Sequence, residues 1–106
     1  MKINGKDMEL KYTVNSIRAL IQETGKTPAQ IMGGGFDPTD FDLGVKLIWA
    51  GLLWGNPKLT VDVVGNWLDA EGGVYSEAIM EATQALVAAF ERQFSTAADK
   101  DDEAKN

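Results

Sequence analysis

The chain has 106 residues, 44% of them hydrophobic and 25% charged, the proportions of one soluble globular domain with a single core. It contains neither cysteine nor histidine, which excludes disulfides, thiol nucleophiles, imidazole bases and the usual zinc sites, and with them most enzyme chemistry. An excess of acids gives a net charge of −6, which opposes a nucleic-acid backbone and an anionic membrane, so the expected partner is another protein.

Asn4-Gly5 suits the positive φ angles of a tight turn and predicts an N-terminal β-hairpin, with Met1 to Ile3 before the turn and the alternating stretch Met8 to Tyr12 after it. Met8, Leu10 and Tyr12 then share the buried face. Thr13 is a predicted N-cap for a helix from Val14 to about Thr24, with Val14, Ile17, Leu20 and Ile21 inward and Gly25 as its stop. Between Lys26 and Thr39, the breakers Pro28, Gly33-Gly34-Gly35 and Pro38 predict a loop, with room for one short turn at residues 29 to 32.

A second helix is expected from about Asp40 to Trp54, its first turn capped by Thr39 or Asp40 and complemented by Asp42. It is apolar on nearly all sides, which makes it either the central helix or one that reserves surface for a partner. Gly55-Asn56-Pro57 ends it. Thr60 caps a third helix, Val61 to Leu68, and Gly72-Gly73 separates it from a long fourth, from Tyr75 or Ser76 to Phe94. In that last helix Ile79, Ala82, Leu86 and Phe90 lie beside Met80, Thr83, Val87 and Phe94, which predicts a wide buried sector. Residues 99 to 106 hold no large apolar side chain and are expected to form a disordered acidic tail on a single helical domain, residues 1 to 98. The fold class is therefore mainly α, a small bundle of four helices with a short N-terminal β-hairpin. The first residues have no apolar run of a secretory signal, and the most apolar stretch, residues 41 to 54, is interrupted by Lys46 and shorter than the roughly 20 residues of a membrane span. A cytoplasmic location is expected.

Chemical motifs are scarce. The triple glycine is not followed by a lysine at a helix start, so it reads as a hinge or insertion and not a phosphate cradle. Asp37, Asp40 and Asp42 do not have the spacing of a calcium loop, and capping accounts for the latter two. A helix-turn-helix reading of residues 41 to 69 fails because its would-be recognition helix carries Asp62 and Asp69 and no base. No catalytic residue, cofactor or metal ligand is assigned. Of the three tryptophans, Trp49 reads as core, whereas Trp54, at a helix end beside a turn, is the best candidate to face a partner; Leu53 and Trp67 complete the candidate partner-binding set.

Leu47-Ile48-Trp49-Ala50-Gly51-Leu52, the capped Leu59-Thr60-Val61-Asp62-Val63-Val64 and Trp67-Leu68-Asp69, set between an N-terminal strand pair and a long last helix, resemble the tail assembly chaperones of long-tailed bacteriophages and prophages. The resemblance runs from about Met8 to Phe94, and the triple glycine departs from it. It implies a non-enzymatic chaperone in the host-cell cytoplasm that coats the apolar, helical tape measure protein, keeps it soluble, helps recruit tail tube protein during virion assembly and self-associates into oligomers along its client. The alternative is a non-enzymatic regulatory or adaptor protein that binds one folded protein partner without polymerising.

Overall fold

The computed structural model describes the backbone of residues 1–34 and 36–105, with side chains through Phe94 other than that of Glu71. It is mainly helical, and among the described residues the elements are strands β1 (Lys2–Ile3) and β2 (Lys6–Asp7), then helices α1 (Val14–Thr24), α2 (Pro28–Gly33), α3 (Phe41–Leu52), α4 (Val61–Glu71) and α5 (Tyr75–Lys105). None of these helices is long and apolar enough to cross a membrane. The expected tail, residues 99 to 106, lies outside the described side chains.

Asn4 and Gly5, at φ 57° and 70°, make the hairpin turn, and the antiparallel strands pair Lys2 with Asp7 and Ile3 with Lys6. The second strand is shorter than expected. After the Met8 amide donates to the Met1 carbonyl at 2.7 Å the chain leaves the ladder, and the Lys11 amide donates instead to the Gly51 carbonyl at 2.8 Å, docking the segment on the end of α3. Leu10 and Tyr12 are buried and Glu9 and Lys11 exposed, so the alternation survives in an extended segment that pairs with a helix end.

The α1 caps are those expected: Thr13 Oγ1 accepts from the Ser16 amide at 3.1 Å, and Gly25, at φ 71°, closes the last turn onto Ile21. Its inward face is rotated, with Ser16 buried beside Leu20 and Val14 turned to solvent. Ser16 can occupy the interior because its hydroxyl lies 2.9 Å from that of Thr13. A fifth helix, α2, stands where one short turn at residues 29 to 32 was allowed within a loop, and it runs one residue further at each end. Thr27 and Gln30 form a reciprocal capping box with Pro28 in the first turn, and burial of Pro28 and Ile31 holds the single turn and a half in place.

The apolar α3 is the central helix: α1, α4 and α5 all pack against it, and Leu47, Ile48 and Ala50 are wholly buried. Two of its glycines are required by that packing. A Cβ at Gly44 would overlap the Tyr75 hydroxyl, and one at Gly51 would lie 2.9 Å from both Leu10 Cδ2 and Tyr12 Oη. Tyr12 donates a buried 2.6 Å hydrogen bond to the Leu47 carbonyl, and Tyr75 donates to the Pro38 carbonyl at 2.8 Å. Partial burial, with Asp40 and Asp37 nearby, raises the Tyr75 pKa. The Trp49 indole donates to the Leu59 carbonyl at 2.7 Å and ties the α3–α4 connection down. The α4 helix extends to Glu71, past the expected Leu68.

In α5 the buried sector is narrower than expected. Ala78, Ala82, Leu86 and Ala89 are wholly buried, while Met80, Val87 and Phe94 are 61%, 47% and 67% exposed. The small alanines draw one side of α5 onto the core, and the opposite side is left uncovered.

Two outcomes follow from the Tyr12 contact. Gly51→Ala should lower stability by about 1–2 kcal/mol in chemical unfolding, because overpacking against a hydrogen-bonded ring outweighs the roughly 1 kcal/mol of helix propensity gained. Burial also pushes the Tyr12 phenol far above its ordinary value, whereas an unfolded tyrosine ionises near pH 10. The Tyr12 contribution is thus whole below about pH 10 and is lost as pH rises beyond it. Comparing Tyr12→Phe with the parent from pH 8 to 11 should show a stability gap, about 1 kcal/mol at pH 8, that shrinks towards pH 11.

Candidate functional site

The end of α3 builds the site. After Leu52 the chain makes a turn in which the Gly55 and Asn56 amides both donate to the Leu52 carbonyl at 3.3 Å, and this turn projects Trp54 outward. The indole is 45% exposed. It is nonetheless fixed, since Nε1 donates to the Glu9 carbonyl at 2.8 Å and Lys11 Nζ stands 4.7 Å from the ring centroid. An ammonium over an indole at the surface contributes roughly 0.5–1 kcal/mol and holds the ring's orientation more than the fold.

Trp54 is the wall between two hollows. The first, of about 410 Å³, has Met8, Leu52, Leu59 and Trp67 in its apolar lining and Asp7 and Glu9 as acids of the lining. The second, of about 460 Å³, lies against Leu53 and Pro57, with Thr13, Asn15 and Ser16 from the start of α1. Of the residues singled out in the sequence, Trp54 and Trp67 therefore meet in one hollow, and Leu53 meets Trp54 in the other. The apolar surface at this end is made by the turn after α3, the N-terminal segment, Leu59 and Trp67, while Leu47, Ile48, Ala50 and Leu52 of α3 are spent on the core.

Sequence reading missed Met8, Leu59, Asp7 and Glu9 as members of the first hollow. The alternation of Met8, Leu10 and Tyr12 marked the segment as one-sided, but its docking against residues more than 40 positions later has no local signal. Two indoles, a thioether and two leucines line the hollow, groups able to shelter apolar side chains, with the Glu9 carboxylate beside them and Asp7 3.4 Å from the N-terminal ammonium of Met1. Among the described residues no group of acids is placed to hold a metal ion. No protein-family model, curated protein or solved structure matches the chain.

Proposed function

We propose that this is a binding protein for apolar stretches of a long helical client, acting as a phage or prophage tail assembly chaperone on the tape measure protein in the host-cell cytoplasm. The observation that carries the reading is the tryptophan-lined hollow with Asp7 and Glu9 beside its apolar walls. A client aggregates through its bare apolar side chains. Two indoles held at a surface shelter such side chains, and an acidic body keeps the resulting complex dispersed.

Coating a long client requires many copies, and the uncovered side of α5 suits contacts between them. Met80, Val87 and Phe94 recur every seven residues along it, the spacing at which one helix seats against another. Recruitment of tail tube subunits belongs to the same reading, as the resemblance implies. An adaptor for one folded partner would use the Trp54 hollow too, and is distinguished by a fixed one-to-one complex with no growth along the client.

Trp54→Ala removes a half-exposed ring together with one hydrogen bond and one cation–π contact, so it should cost about 1–2 kcal/mol of folding stability. Affinity for purified tape measure fragments, read by calorimetry, should fall by roughly 2 kcal/mol or more. Undiminished affinity in the folded variant would remove Trp54 from the site; a parent protein without affinity for any such fragment would remove the chaperone reading. Val87→Glu, on a surface that costs the fold little, should shift sedimentation towards the monomer, and a parent that is monomeric at high concentration would count against self-association through α5.

A further inference from the structure

Two residues of α4 are locally unfavourable choices that the fold does not explain. Gly65 lies in the helix interior, where only proline is worse, yet a Cβ there would meet nothing closer than Val45 Cγ1 at 4.0 Å. This sets it apart from Gly44 and Gly51, which the two tyrosines require. Asp69 lies in the last turn of α4, where the helix dipole disfavours an acid, and neither its carboxylate nor that of Asp62 has a partner among the described residues.

Both face one groove. It runs between α3 and α4 with a volume of about 860 Å³, and it returns to α4 at residues 61, 62, 65, 66, 68 and 69, so it follows that helix for about 12 Å. Val45, Val61 and Leu68 give it apolar walls, and Phe41, 60% exposed and 4.6 Å from the Tyr75 ring between centroids, stands in its lining. Asp62 and Asp69 flank Gly65 at three and four positions along one face of α4, and Asp42, already held by Lys46 at 2.9 Å, faces them from α3. No residue of this groove belongs to the Trp54 hollow.

We infer that the groove binds a segment of another protein that carries bulky apolar side chains flanked by lysine or arginine. The apolar walls take the side chains, Gly65 lets them approach the α4 backbone closely, and Asp62 and Asp69 pair with the flanking bases. Charge complementarity selects this occupant over a second copy, which would bring its own net charge of −6 towards the same carboxylates. The inference rests on the groove between α3 and α4 and holds whether or not the Trp54 hollow receives a tape measure protein.

The test uses the full chain and a fluorescein-labelled synthetic amphipathic peptide with leucines on one face and lysines on both flanks, with a glutamate-flanked version for comparison. Anisotropy should show the lysine-flanked peptide binding at least roughly tenfold tighter. Gly65→Ala should raise the melting temperature and yet weaken that binding by roughly fivefold or more, a pairing of signs that no purely structural glycine gives. Asp62→Asn combined with Asp69→Asn should weaken it about tenfold, while the equal charge change Glu77→Gln with Glu91→Gln on α5 leaves it within about twofold. A Gly65→Ala protein that binds as the parent does, or that melts lower, overturns the inference; so does binding lost only with Trp54, equal binding of both peptides, or a dimer in the absence of peptide that Gly65→Ala disrupts.

Discussion

The hydrogen bond from the Tyr12 hydroxyl to the Leu47 carbonyl fixes the N-terminal segment on α3, and most of the architecture at that end depends on it. The ring fits only because Gly51 has no side chain, and the same close approach brings the Lys11 amide to the Gly51 carbonyl. Thr13 follows at once and caps α1, so the direction of the first helix is set by where Tyr12 is seated. Two residues before Lys11, the Glu9 carbonyl is carried to the Trp54 indole. The site is thus an extension of a core contact.

The other end of α3 repeats the arrangement. Gly44 stands seven residues before Gly51, and it admits Tyr75 as Gly51 admits Tyr12. Each phenol reaches past its glycine to a backbone carbonyl, one in α3 and one in the connection before it. One tyrosine belongs to the segment before α1 and the other to the first turn of α5, so α3 fastens both halves of the chain through two gaps in its own surface. Its neighbours occupy most of the sides of so apolar a helix, and Phe41 and Val45 near its start are left to the groove against α4.

Elements marked by their own ends were legible in the sequence: Thr13 with Gly25, Asp40, and Thr60 each stand where the structure has a cap. The α2 helix was read only as a loop with room for a short turn, although Thr27, Pro28 and Gln30 carry its signal, because the density of glycine and proline around it outweighed a single box. Alternation at Met8 to Tyr12 identified the buried side chains and not their partner, since a strand and an extended segment docked on a helix bury the same positions. The rotation of α5 was lost for another reason: hydrophobicity marks Met80 and Val87 more strongly than Ala78 and Ala89, and close packing prefers the smaller pair. Trp54 was found because it follows a helix end beside a turn. The lining that Met8 and Glu9 add to its hollow depends on tertiary contact across more than 40 residues, which no local pattern encodes.

The Trp54 indole and the Glu9 carbonyl are 45 positions apart, and Tyr12 and Leu47 are 35 apart, whereas α3 and α4 adjoin through a short connection. Closing the longer loops carries the larger entropic cost, and nothing holds the early segment until α3 has formed. On a ribosome the N-terminal ribbon emerges first and has no seat until α3 follows it. Leu10, Tyr12 and the indole-facing backbone therefore wait, unburied, until α3 and Trp54 have been synthesised, and the hollow beside Trp54 is complete only once Trp67 of α4 has followed.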